Sequence, residues 1–84
     1  MTAALEATVR EVLATKGRLG RNPLALSLDD NLFDAGLTSQ AAVEVVFGLE
    51  DTLGVEVPDS AITRLNLSTI GGLITMLSSA ATST

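Results

Sequence analysis

Apolar residues recur at helical spacing in three stretches of this chain, which commits it to packed helices before anything else is considered. Leu5, Val9, Val12 and Leu13 stand at i, i+4, i+7 and i+8, one stripe of a first helix that ends near Lys16 and Gly17. From Thr38 or Ser39 to about Leu53 the pattern is helical again: Val43, Val46, Phe47, Glu50 and Leu53 fall on one side, and Ala42, Val45 and Leu49 widen it. Gln40, Glu44, Gly48 and Asp51 share its outer face. Ile70, Leu73, Ile74 and Leu77 give the last helix, with Ser68 or Thr69 as its cap. Gly54 stops the second helix, and Pro58 or Asp59 opens a short one that runs to about Arg64. The only strand signal is the short "VEV" at 55–57.

Residues 17–38 hold Gly17, Gly20, Asn22-Pro23 and Asp29-Asp30-Asn31, so they read as a long loop, pinned by Leu24, Leu26, Leu28, Leu32 and Phe33. So long a loop in an 84-residue chain is expected only where it positions something. Aromatics are 2% of the residues, so the core is built from Leu, Val, Ile and Ala. The expected fold is all-α: a small four-helix bundle of three longer helices and one short helix, with the long loop between helices one and two. Residues 1–78 form one domain on this reading, and 79–84, "SAATST", a disordered tail.

The chain contains no Cys and no His. Disulfides, thiolate metal sites, imidazole ligands and His-activated nucleophiles are therefore out of reach, which argues against an independent enzyme. No apolar run reaches the roughly 20 residues of a membrane span. The first residues mix charges into their apolar positions, unlike a secretory signal, so the expected location is cytoplasmic. Charge is uneven. Residues 1–28 carry Arg10, Lys16, Arg18 and Arg21 against Glu6 and Glu11, whereas residues 29–84 carry eight acids against Arg64 alone. Such a surface repels nucleic acid and suits either solubility or a basic partner. "DDNLFDAG" is no calcium loop, because Leu32 and Phe33 occupy places where an EF-hand needs ligands. It reads as a capped turn, and no catalytic or metal-ligating residue is assigned.

What remains is the serine in "DAGLTS", set where the long loop meets the second helix. A residue at a helix N-terminus faces unpaired N–H groups and the positive end of the helix dipole, which suit a phosphodiester on its oxygen. The competing reading takes Thr38 and Ser39 as simple caps, a use worth about 1 kcal/mol and the better one for an arbitrary Thr-Ser pair. The order helix, long loop, helix, short helix, helix, with this box at the junction, resembles the acyl carrier and peptidyl or aminoacyl carrier protein family of phosphopantetheine-attachment domains. Asp34-x-Gly36-Leu37 before the serine, and Val43, Glu44, Val46, Phe47, Leu49, Glu50, Asp51 and "VEVPD" after it, fall in that family's register without a gap. Two positions depart from it. Many members have Asp before the serine and Leu after it, where this chain has Thr38 and Gln40, which bears on which transferase reads the site.

The resemblance implies a non-catalytic carrier with covalent 4′-phosphopantetheine on Ser39, donated from coenzyme A by a phosphopantetheinyl transferase. It implies as partners an acyl- or aminoacyl-loading ligase and a downstream acceptor enzyme, with no nucleic acid, no membrane and a monomeric chain. The candidate docking residues are Asp34, Leu37, Thr38, Gln40, Val43, Glu44, Phe47, Gly48 and Asp51. Gly48, inside a helix at a cost of roughly 1 kcal/mol, is either a tolerated weakness or a place where a partner approaches. "AGLTSQAAVEVVFGLED" with "VPDSAITRLNLSTI" is similar to stand-alone carriers loaded by aminoacyl-tRNA-synthetase-like ligases, which leans the cargo towards an amino acid. The alternatives are an acyl carrier of fatty acid or polyketide synthesis and, in a different class, an unmodified helical interaction module.

Overall fold

The computed structural model describes residues 2–82, and every described element is helical. Helix α1 (Thr2–Val12) widens at its exit into a π-helical turn, Leu13–Gly17. After the long connection come α2 (Ser39–Leu53), α3 (Arg64–Leu67) and α4 (Ile70–Thr82), with short 3₁₀ turns at Pro23–Ala25 and Asp59–Ala61. Helix α1 packs against α2 and α4, the π turn lies on α2, and α3 leans on α4. One apolar core, containing Val9, Leu13, Leu32, Val46, Leu49, Ile70, Leu73 and Leu77, lies between them.

Helix α2 keeps the expected bounds. Thr38 caps it, and Gly54 ends it in the left-handed conformation (φ 67°) that its missing Cβ allows, with its N–H on the Glu50 carbonyl. Its orientation about its own axis differs from the expectation. Val45, Val46 and Leu49 are buried, but Phe47 is 59% exposed and Val43 39%. The cause is Gly48, which turns towards α1: a Cβ there would stand 3.1 Å from Val12 Cγ1 and 3.5 Å from Lys16 Cγ. Gly48 therefore belongs to the helix packing and not to the outer face, and that rotation brings Phe47 out.

Three further expectations are corrected. The single short helix from 58 to 64 is two pieces, because extended Thr63 starts a new helix: its Oγ1 accepts from Asn66 N at 3.2 Å, while Asn66 Nδ2 donates to Ala61 O. "VEV" forms no strand, since the Val57 N–H is taken by Glu50 Oε2 at 2.7 Å. Residues 79–82 are not a disordered tail but the end of α4, with Ala80 buried, whereas 83 and 84 lie outside the described residues. Thr69 caps α4 through its hydroxyl, which accepts from Gly72 N at 2.9 Å.

The long connection is fixed by more than its leucines, for Leu26 and Leu32 are buried but Leu24 is 69% exposed and Leu28 is exposed too. Arg10 Nη1 donates to the carbonyls of Pro23 (2.7 Å) and Leu26 (2.6 Å), and its Nε donates to Glu6. Leu32 N donates to Ser68 O at 2.7 Å, and Gly71 N to Leu28 O at 3.1 Å, so the loop is stitched to the start of α4 as well. A charged donor serving two half-buried carbonyls is worth about 1.5–3 kcal/mol. Arg10→Met should accordingly lower stability by about 2 kcal/mol in urea denaturation and speed amide exchange at Leu26. A loss below about 0.5 kcal/mol would mean that the apolar contacts hold the loop alone.

Candidate functional site at the start of helix two

The turn that delivers Ser39 is built on Leu32. Its carbonyl accepts from both Ala35 N (3.1 Å) and Leu37 N (3.0 Å), and Asn31 Oδ1 accepts from Asp34 N, so the segment is a capped turn as the sequence suggests. Gly36 sits at φ +113°, and a Cβ there would come within 3.1 Å of Gly20 N, whose N–H donates to Ala35 O. Only glycine suits both the dihedral and the space. Among the described residues no group of His, Cys, Asp or Glu could hold a metal ion.

Ser39 is exposed as the first residue of α2. Thr38 Oγ1 accepts from Ala41 N at 3.0 Å and the Thr38 carbonyl accepts from Ala42 N at 2.8 Å. The Ser39 and Gln40 N–H groups are thus the free donors of the first turn. No acidic side chain stands in that turn. An anion bound through Ser39 Oγ would meet the helix dipole's positive end and no opposing carboxylate.

Beyond Ser39 the exposed side of α2 carries Val43 and Phe47, one and two turns further along the same stripe, flanked by Gln40 and Asp51. Of the candidate docking residues, Asp34, Thr38, Gln40, Val43, Phe47 and Asp51 are exposed. Two are not available. Leu37 is 5% exposed and packs by the π turn, its Cδ1 3.7 Å from where a Gly17 Cβ would stand, and Gly48 faces α1. Glu44 is half-exposed, and its Oε1 accepts from Arg18 Nη2 at 3.2 Å.

The sequence did not single out Arg18, which takes the left-handed position (φ 54°) that ends the π turn. Gly17 draws attention as the helix stop, yet it is buried inside the turn. A second unsuspected contact places Arg64 Cζ 4.0 Å from the centroid of the Phe33 ring, in the turn that leads to Ser39.

Residues 4–77 match the family described as "Phosphopantetheine attachment site". The chain belongs to that family. It is therefore a carrier protein rather than a catalyst, and the covalent group of its family is 4′-phosphopantetheine. It is 33% identical over 66 residues to the aminoacyl carrier protein of Agrobacterium fabrum, covering 79% of this chain and 80% of that one. Its structure is similar to the crystal structure of an engineered Bradyrhizobium japonicum glycine:[carrier protein] ligase complexed with a carrier protein from Agrobacterium tumefaciens and ATP. There the TM-score is 0.83 at 30% identity, over 88% of this chain and 96% of that chain. The crystal structure of the Bradyrhizobium japonicum ligase complexed with glycylated carrier protein matches at TM-score 0.62 and 32% identity, over 83% and 97%.

The carrier's departure at Thr38 has a measurable consequence, because Asp and Thr both cap a helix. Thr38→Val should cost about 1 kcal/mol in thermal or chemical denaturation, and Thr38→Asp should cost less than half of that. Equal losses would show that the cap bond from Ala41 N does not stabilise α2.

Proposed function

We propose that Ser39 is the attachment point of the phosphopantetheine arm and that this carrier takes an amino acid from a loading ligase and presents it to a downstream acceptor enzyme. The carrying observation is an exposed hydroxyl at the first position of α2, between a cap that leaves the Ser39 and Gln40 N–H groups free and an exposed Val43–Phe47 ridge. The naming of the Agrobacterium fabrum relative, and of the glycine ligases crystallised with carriers of similar fold, supports the aminoacyl reading and the ligase as partner.

Modification forms a bond between Ser39 Oγ and a phosphorus of coenzyme A, releases the hydroxyl proton and expels adenosine 3′,5′-bisphosphate. The phosphopantetheinyl transferase supplies the base, and neither Thr38 nor Gln40, on either side of Ser39, has a side chain that can act as one. The Ser39 and Gln40 N–H groups would hold the phosphodiester oxygens of the arm. When bound, the arm supplies the thiol that a chain without Cys lacks, on which cargo is carried as a thioester. No helix of the described residues is long and apolar enough to cross a membrane.

The core argues where the cargo stays. Among the described residues no polar or charged side chain is buried, so an amino acid's ammonium would find no partner inside, at a cost of several kcal/mol. An aminoacyl cargo remains outside. A fatty chain could instead gain about 0.8 kcal/mol per buried methylene if the helices parted.

Co-expression with a broad-specificity transferase should add one phosphopantetheine mass, and Ser39→Ala should abolish it while the circular dichroism stays helical. A mass gain that survives Ser39→Ala would refute the assignment, and no gain on the parent chain would leave an unmodified interaction module. In the loaded carrier, amide NMR shifts should change within 37–44 and stay fixed at Val46, Leu53, Ile74 and Leu77. Large changes at those four positions would indicate an internal, fatty acyl type of cargo.

A further inference from the structure

The arginines of this chain are spent unequally. Arg10 serves Glu6 and two carbonyls, and Arg18 serves Glu44. Arg64, the first residue of α3, is exposed, and its side chain has neither a hydrogen bond nor an ion pair among the described residues. It is nevertheless held in place, because its Cζ stands over the Phe33 ring, 4.0 Å from the centroid, and that ring is half-buried against the core. Stacking uses the face of a guanidinium and leaves the N–H groups on its edge to donate. Asp34, the residue after Phe33, is exposed, yet no ion pair joins it to Arg64. The serine turn therefore carries a fixed cation with unspent donors.

The position of that cation is set by the turn that delivers Ser39. Phe33 follows Leu32, whose carbonyl closes the turn onto Leu37 N, two residues before the serine, and whose N–H reaches Ser68 O just beyond α3. Both ends of α3 are thus fastened to this turn, Arg64 by the ring and Ser68 by its carbonyl. We infer that Arg64, stacked on Phe33, binds the phosphodiester of the arm on Ser39 and so fixes the direction in which the arm leaves, towards α3 rather than α1. This rests on the reading that Ser39 carries the arm. The chemistry selects the anion. A phosphodiester offers two non-bridging oxygens and a negative charge, which match the planar fork of donors on a guanidinium. Its covalent bond to Ser39 makes the pairing an intramolecular step, favoured over capture of a free acid. Arg64 gives up no ion pair to make it, whereas Arg18 would have to leave Glu44.

The test is ³¹P and ¹⁵N NMR on the full chain before and after transferase treatment. Arg64→Gln should move the ³¹P resonance of the arm by more than its linewidth. In the parent, the Arg64 Nε–Hε proton should exchange with water at least threefold more slowly with the arm than without it. Phe33→Leu, which keeps the charge and removes its seat, should lose at least half of that protection. Arg18→Asn, to a residue type that tolerates the left-handed backbone, should leave the ³¹P resonance in place. An unmoved resonance in Arg64→Gln would overturn the inference and leave Arg64 to a partner's carboxylate, and an equal displacement in Arg18→Asn would overturn it by showing a general effect of charge. Because Arg64 is exposed, its replacement decides the matter however Phe33→Leu folds. Intact mass of the same samples separates the two readings: no arm on the parent refutes the attachment and this contact with it, whereas an arm whose resonance ignores Arg64→Gln refutes the contact alone.

Discussion

Leu32 is the constraint on which the site depends. Its side chain is fully buried, its N–H reaches the Ser68 carbonyl at the α3–α4 junction, and its carbonyl receives two N–H groups of the turn that ends at Ser39. One residue thus ties the loop to the far end of the chain and sets where α2 begins. Arg10 does the corresponding work upstream, holding the Pro23 and Leu26 carbonyls against α1. Without these anchors the breaker-rich stretch before α2 would have many conformations, and Ser39 would have no fixed relation to the face beyond it.

The elements were legible where local chemistry decides them. Thr38, Ser39 and Gly54 bound α2 because a cap hydroxyl and a left-handed stop act within a few residues. Which side of α2 faces inward was not legible. Its apolar residues cover most of the circumference, so a sequence stripe through Phe47 is nearly as good as one through Val45 and Leu49, and the choice falls to the neighbour, α1 against Gly48. Thr63 was missed as a cap because Pro58 and Asp59 offer a stronger local signal. The small, polar end of the chain conceals that Ala80 closes the core.

Charge was least legible of all. Eight acids against one base after residue 28 describe a composition, whereas a partner meets individual groups within roughly a Debye length. Glu44 is answered by Arg18 from 26 residues earlier, and Arg64 is drawn onto Phe33. Both pairings depend on how the loop returns to α2, which no periodicity in the sequence encodes. The place of Ser39 at the start of α2 was legible for the opposite reason, since the turn, cap and helix around it are all local.

The substitution of threonine for the acid that often precedes the attachment serine follows from the same local physics. Thr38 supplies the cap that Asp would supply, through Oγ1 to Ala41 N, so α2 needs no carboxylate to begin. With none in the first turn, a phosphodiester on Ser39 would have the helix dipole and two free N–H groups without a like charge beside it. Thr38 therefore starts α2 without placing a charge beside Ser39, and the exposed groups around this end of the helix are the Asp34 carboxylate and the apolar ridge of Val43 and Phe47.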